Sequence, residues 1–314
     1  NGVENYTMNG SDITNSGFSI NVSAYPIKTR DWTWLVSANY SVVYNSINTK
    51  TANKYKIEKY LNGTAIIDGK PIGTFYSYNF IGLDPQNGLP LFDDYRDRQH
   101  LLEGQSLDRI MQRVGSQSGS REPNLAGSFY STLRYQQWSL SASFNYALGN
   151  KIRKFALYKD VLDGVSSENN VRKEFTHRWR KPGDERHTQL PSLISPSDPA
   201  FGDNRYHWSA ATPAATQGFE AFADNYWMMY DNSNARVVSG SYLRLSNLAL
   251  RYQFTRKQLK GLPFSNLAFD AAMTNVFTLK SSALEGQDPT QSGFSLQTSL
   301  SLRPSFTFGL RLSF

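Results

Sequence analysis

The chain has 314 residues and no cysteine, is 39% hydrophobic and 14% aromatic, and carries a formal net charge of +7. That length admits one large β domain or two ordinary ones, and the lack of Cys excludes disulfides and thiolate metal sites. No apolar run approaches the roughly 18 residues of a membrane-spanning helix, which excludes a helical membrane protein but leaves a β-barrel open, since its strands need apolar residues only at alternate positions.

Side chains alternate faces along a strand, and several segments show that alternation. Phe18, Ile20, Val22 and Ala24 oppose Ser19, Asn21 and Ser23. After a short turn at Thr29-Arg-Asp31, Trp32, Trp34, Val36, Ala38, Tyr40, Val42 and Tyr44 oppose Thr33, Ser37, Asn39 and Ser41, with Leu35 and Val43 as exceptions. Orientation requires an even number of strands between 46 and 125; Lys70–Leu83 is expected as one, with 54–67 favoured over 88–95 as its partner. A strand over 125–135 follows. In Trp138–Leu148, Trp138, Leu140, Ala142, Phe144, Tyr146 and Leu148 oppose Ser139, Ser141, Ser143 and Asn145. In Ser241–Tyr252 the pattern slips: Leu243 and Leu245 are odd, whereas Leu248, Leu250 and Tyr252 are even. Either a β-bulge at Ser246-Asn247 restores one face, or the upper half rises above the lipid. Phe264–Val276 sets Leu267, Phe269, Ala271 and Met273 against Ala268, Asp270, Ala272 and Thr274.

The last eleven residues alternate most cleanly, with Phe306, Phe308, Leu310, Leu312 and Phe314 on one face and Ser305, Thr307, Gly309, Arg311 and Ser313 on the other. An apolar face on an unprotected terminal strand invites aggregation in water, and fits a barrel wall that is apolar towards lipid and polar inside. The segments run about 9–13 residues, the length of a tilted transmembrane strand, against roughly 5–6 for an ordinary one. Connections alternate: 29–31, 136–137 and 255–263 are short, while about 84–124, 151–240 and 277–303 are long. Short periplasmic turns and long extracellular loops are the habit of bacterial outer-membrane barrels. The expected fold is therefore all-β: an antiparallel transmembrane β-barrel section of about nine strands, with aromatic residues forming girdles at the two membrane interfaces.

The sequence also resembles a known family. Arg236-Val-Val-Ser-Gly-Ser-Tyr-Leu-Arg-Leu-Ser-Asn-Leu-Ala-Leu-Arg-Tyr252 is similar to a strand motif of SusC/RagA-type TonB-dependent outer-membrane transporters. So are Asn275-Val-Phe-Thr278 with Asp288-Pro289, and the closing Thr307–Phe314. Pro71-Ile-Gly73 with Phe75-Tyr76, Gly149-Asn-Lys-Ile152 and Trp179-Arg-Lys-Pro-Gly-Asp184 match further landmarks, in family order along residues 1–314. The resemblance covers the C-terminal portion of a 22-stranded barrel, a size associated with a plugged lumen. It places the plug and the TonB-contacting segment (the TonB box) outside this chain. It implies TonB-dependent import of an oligosaccharide or peptide nutrient, with a SusD-type surface lipoprotein as lid, in the outer membrane of a Gram-negative, Bacteroidota-type bacterium. Phe306 to Phe314 then face lipid, pair with a first strand in the remainder of the transporter, and end in an assembly signal. The chain opens Asn1-Gly-Val without a leader pattern, so a processed or preceding portion is expected.

Enzyme chemistry finds no support. His100, His177, His187 and His207 show no metal-ligand spacing, and no nucleophile elbow or P-loop occurs. No resident cofactor is expected, although Asp84-Pro-Gln-Asn-Gly88 and Asp93-Asp94 have the oxygen ligands of a Ca²⁺ loop, a pattern that is more often a turn and a solvated loop. The five N-x-S/T triplets, starting at Asn5, Asn9, Asn21, Asn39 and Asn62, include two inside strands and read as chance. Basic residues are scattered, densest at 151–154 and 178–181, which argues against nucleic acid. They are either solvated or meet lipopolysaccharide phosphates or an anionic solute.

Substrate and partner contacts are expected from loop aromatics, Trp208, Tyr226, Trp227 and Tyr230, unless these rings pack the loop against itself. From the polar strand faces, Asn39, Asn145, Asp270 and Arg311 are expected to line the lumen. A structural barrel subunit without transport is the alternative function, and a soluble two-sheet carbohydrate-binding protein is a third.

Overall fold

In a computed structural model of the chain, residues 10–49, 55–93, 95–105, 107–161, 168, 170–193, 225–291 and 300–314 are described. β1 (Ser11–Lys28) and β2 (Trp32–Thr49) form a hairpin across 29–31. The chain then leaves the strands through α1 (Ile57–Leu61), β3 (Thr74–Ser77), β4 (Phe80–Leu83), β5 (Pro90–Phe92), α2 (Leu107–Val114) and β6 (Ser116–Ser120). It returns as β7 (Leu125–Tyr135) and β8 (Trp138–Leu148). A second excursion holds β9 (Lys151–Arg153), α3 (Tyr226–Asp231) and β10 (Val237–Ser239). β11 (Tyr242–Gln253), β12 (Asn266–Lys280) and β13 (Ser305–Ser313) complete the chain.

The long strands make one 7-stranded sheet in the order β1-β2-β7-β8-β11-β12-β13, antiparallel throughout. Its edges are β1 and β13, so it is an open section of wall. Among the described residues, no helix is long and apolar enough to cross a membrane. All short turns lie at one end of the sheet and all long excursions at the other.

The expectation of about nine strands needs correction. Residues 57–61 are helical, and 70–83 breaks into β3 and β4, which pair with β6 and β5 outside the large sheet. The alternative partner, 88–95, contains β5, yet that pairing too belongs to a small sheet. All four β3 residues are buried. A segment buried on both faces belongs inside a packed core rather than between lipid and an aqueous lumen. β2 therefore pairs directly with β7.

The bulge expected in β11 is present. Leu245 pairs with Phe144 and Asn247 with Ser143, leaving Ser246 as an extra residue whose hydroxyl donates to the Ser143 carbonyl at 2.9 Å. On the other side Leu245 pairs with Phe277 and Asn247 with Thr274. β12 takes up the difference at Asn275, which adopts φ 51°, a left-handed conformation that Asn tolerates. The slip brings Leu243 and Leu250 to the same exposed face despite their opposite parity.

That face is apolar across the whole sheet. Phe18, Ile20, Val22, Tyr40, Leu140, Leu250 and Phe269 are all exposed, and Phe306 and Phe308 on β13 are 67% and 73% exposed. An apolar surface of this extent marks contact with lipid or protein. At the turn end, ring pairs form a belt: Trp32–Tyr135 at 4.2 Å, Trp138–Tyr252 at 4.7 Å and Phe264–Phe314 at 5.4 Å between centroids. Rings at one end of an apolar sheet face fit the interface between hydrocarbon and water. From Trp32 to Tyr44 the face runs roughly 40 Å along the strand, or about 30 Å after a tilt of about 40°, which matches a hydrocarbon core. The Trp34 indole N–H on this side donates to Ser131 Oγ at 2.9 Å, as a polar atom in hydrocarbon must.

One close approach organises the centre of the wall. Tyr146 lies across Gly127 and donates its hydroxyl to the Asn39 carbonyl at 3.0 Å. A Cβ on Gly127 would come within 2.2 Å of that carbonyl oxygen and 2.4 Å of the Tyr146 hydroxyl. Laying an aromatic ring over a strand glycine covers backbone that would otherwise face lipid.

The packed core lies in the excursions. Tyr60 on α1, Met111 on α2, Tyr76 on β3 and Trp227 and Met229 on α3 are buried together with Tyr158 and Phe175. Asn225 caps α3, its side-chain oxygen accepting from Trp227 N at 2.9 Å. The Asp231 carboxylate, which burial pushes up in pKa, accepts backbone N–H bonds from Leu157 and Tyr158 at 2.8 Å each. These segments thus form a folded loop domain at one end of the wall.

Two substitutions test the wall. Gly127→Val in the complete receptor is expected to cost about 1–3 kcal/mol through overpacking. Tyr146→Phe is expected to cost about 1 kcal/mol by removing one hydrogen bond. Denaturant midpoints in detergent measure both, and an unchanged midpoint for Gly127→Val contradicts the close approach.

Candidate functional site

The polar face of the sheet is built in rows, because paired residues on neighbouring strands share a face. One row runs Asn21, Asn39, Ser128, Asn145, Arg244, Thr278 across six strands. Asn39 donates from its side-chain amide to Asn21 Oδ1 at 2.6 Å, and Arg244 Nε donates to Thr278 Oγ1 at 2.9 Å. A second row nearer the turns runs Lys28, Thr33, Arg134, Ser139, Arg251, Asp270, Gly309. Asp270 receives Arg251 at 2.5 Å and Arg311 at 3.1 Å. Three cations of the row (Lys28, Arg134, Arg251), and Arg311 reaching in from two residues along β13, stand against one carboxylate, so this part of the face carries a surplus positive charge. A neutral amide row and a cationic row on one wall can hydrogen-bond a polar solute and attract anionic groups.

A strap from the last excursion crosses this face. Arg244 binds Asp288 through both carboxylate oxygens, at 2.8 and 2.7 Å. Burial alone would raise the Asp288 pKa, but hydrogen bonds from Thr290 and Arg244 hold it below the usual carboxylate range. Beside it, the Gln287 side chain accepts from Phe155 N at 2.7 Å and donates to the Arg153 carbonyl at 3.1 Å. The strap therefore joins the wall to the loop domain.

The loop domain stands on a buried ionic cluster. Glu174 Oε2 accepts from Lys154 Nζ at 2.9 Å and from Arg236 at 2.5 Å, and Arg172 lies 3.7 Å from Oε1. Burial pushes the Glu174 pKa up, yet Arg236 and Lys154 outweigh it and hold the carboxyl below its ordinary value. Arg236 is 2% exposed and also donates to the Phe155 carbonyl at 2.8 Å.

The expected site residues separate into groups. Asn39, Asn145, Asp270 and Arg311 lie on the polar face, the first three in the rows described above and Arg311 two residues along β13 from Gly309, paired with Asp270. Trp227 and Tyr230 are each 2% exposed and belong to the loop core, with the Trp227 indole donating to the Ser192 carbonyl at 2.8 Å. The structure thus places these two rings in self-packing rather than on a contact surface. Tyr226 is half-buried against that core, and Trp208 lies outside the described residues. Phe306, Phe308, Leu310, Leu312 and Phe314 are exposed on the apolar face. Asp84 Oδ1 caps its own turn by accepting from Gln86 N, Asp93 pairs with Arg98, and Asp94 lies outside the described residues. Among the described residues, no cluster of three or more potential ligands could hold a metal ion. Arg251, Arg244–Asp288 and the Glu174 cluster were not anticipated. Arg244 and Asp288 lie inside landmark motifs, but nothing in the local sequence pairs them across 44 residues.

Acid should release the loop domain first. A carboxyl held below its unfolded pKa contributes stability above that value and loses it as pH falls through the folded one. Lowering the pH below about 4 is expected to increase protease cleavage within 151–193 while the wall's far-UV signal persists. Glu174→Ala is expected to destabilise the loop domain by about 3–5 kcal/mol, because Lys154 and Arg236 lose their buried partner. Equal protease sensitivity of wild type and variant at neutral pH speaks against the cluster's role.

No family model matches the chain. It is 25% identical over 333 aligned residues to TonB-dependent receptor P39 of Formosa agariphila, an alignment covering 92% of this chain and 28% of that protein. Its fold matches the RagAB peptide transporter with TM-score 0.65 and 20% identity, over 98% of this chain and 30% of that one. It also matches the RagAB peptide importer in a "closed-closed" state (TM-score 0.63, 18% identity, 96% and 30% coverage) and an "open-open" state (0.57, 18%, 97% and 29%). The chain spans less than a third of each relative, in keeping with seven strands of a barrel of about 22. The relatives are receptors and transporters, not enzymes. Over 92% of its length the chain is a homologue of a TonB-dependent receptor, and its fold is that of a section of the RagAB transporters.

Proposed function

We propose that this section serves TonB-dependent active import of an oligosaccharide or peptide nutrient across the outer membrane of a Gram-negative, Bacteroidota-type bacterium. The observation that carries this reading is the coupling of one wall to two surroundings. Its apolar face and aromatic belt fit lipid, and its polar face carries the amide and cationic rows. A packed loop domain is tied across that polar face by Arg244–Asp288. The loop end offers a firm platform on which a SusD-type lipoprotein closes over captured solute. The plug, driven through TonB, belongs to the remainder of the transporter. β1 and β13 are unpaired edges of the section, and the rest of the barrel is the natural partner for both.

Uptake of labelled oligosaccharide and peptide pools by cells carrying the complete receptor tests this. Uptake is expected to fall to background when TonB or the partner lipoprotein is deleted. Unchanged uptake without TonB removes the importer reading. Correct outer-membrane assembly with no uptake of either pool supports a structural barrel subunit instead.

A further inference from the structure

The loop domain contains a cleft of about 500 Å³ lined by Arg172, Lys173, Glu174, His177 and Glu285. Four of these residues come from one short stretch that includes the 3₁₀ turn Lys173–His177. In a 3₁₀ turn residues three apart eclipse one another, so Glu174 and His177 share a face. Glu285 comes from the separate excursion after β12, so the cleft sits where two parts of the loop domain meet.

Its charges are arranged unequally. Both carboxylates are engaged with cations: Glu174 with Lys154 and Arg236, and Glu285 with Lys154 at 3.4 Å. The lining itself is balanced, Arg172 and Lys173 against Glu174 and Glu285, and behind it Lys154 and Arg236 with Asp231 acting on Arg236 add one positive charge (two minus one). Among the described residues, Lys173 and His177 have no acidic partner, and both side chains are exposed. Arg172 keeps its guanidinium in place by donating to the Phe155 carbonyl at 3.2 Å. A cation entering the cleft would have to displace an ammonium from a carboxylate, whereas an anion meets donors that are already turned outward. Placement beside a buried ionic cluster also holds these donors on a firm base, which lowers the ordering cost of binding.

We propose that this cleft binds an oxyanion, a carboxylate or phosphate group, through Arg172, Lys173 and His177. The site is separate from the lumen rows and does not rest on transport, because it is read by binding to the purified receptor.

Isothermal titration of the complete receptor in detergent with inorganic phosphate and with acetate tests the site. The double substitution Lys173→Gln with His177→Gln is expected to weaken phosphate binding by about tenfold or more, since the first removes a positive charge and the second an imidazole N–H donor. An unchanged thermal midpoint shows that the variant is folded, and Lys173→Arg is expected to retain binding. Competition of phosphate by lipopolysaccharide micelles assigns the oxyanion to a lipid headgroup, and its failure to compete assigns a free solute. Either result agrees with the site. No phosphate or acetate binding by the wild type, equal affinity in the double variant, or tighter binding of methylammonium overturns the proposal.

Discussion

A strand that crosses hydrocarbon must hand every backbone N–H and C=O to a neighbouring strand, since no water is present to take them. The rest of this structure follows from that demand. It requires long strands in antiparallel register, and it lets one face of the sheet be apolar without being buried by protein. The five inner strands meet it by pairing on both sides, and β1 and β13 on one, with bulges absorbed by Ser246 and Asn275 rather than by broken ladders. Even the lipid-side indole of Trp34 finds Ser131.

Because lipid covers the outer face, the sheet needs no apolar core of its own, and the core moves into the connections. That division explains the polar composition. Residues that would be core in a water-soluble β protein are shared between a lipid-facing surface and a loop domain centred on Tyr76, Tyr158 and Trp227. The loop domain is then a folded body in its own right, which is what allows it to hold surfaces at the mouth of a barrel. Arg244–Asp288 and the Gln287 hydrogen bonds attach it to the wall at the row where the strands are most amide-rich.

Charge follows the same logic. Inside the loop domain, buried cations are held by acceptors: Lys154 and Arg236 by Glu174, and Arg153 by Asn232, Ser77 and the Tyr76 carbonyl. On the polar face they stand in water with one acid among several bases. The net positive charge of the chain is therefore unevenly spent, neutralised at the base of the loop domain and left open on the wall and in the cleft beside His177.

Strand position, face and turn end were legible from the sequence wherever a segment touches two different solvents. Alternation from Trp138 to Leu148 or Phe306 to Phe314 is a direct record of lipid on one side and water on the other, and even the bulge at Ser246-Asn247 showed as a slip in parity. The stretch from 55 to 83 was misread because Tyr60, Ile67, Phe75 and Tyr76 are buried in protein rather than facing lipid, and there period-two patterning carries no information about a membrane. Trp227 and Tyr230 were open to either reading for a related reason: an aromatic in a loop looks the same in sequence whether it is exposed or packed. By itself the sequence determined the strands of the wall, the face each side chain takes and the end at which the short turns lie, since these depend on local periodicity. The tertiary structure alone decided the strand count, the loop core, Arg244–Asp288 and the Glu174 cluster, since these depend on residues far apart in the chain that meet only after it folds.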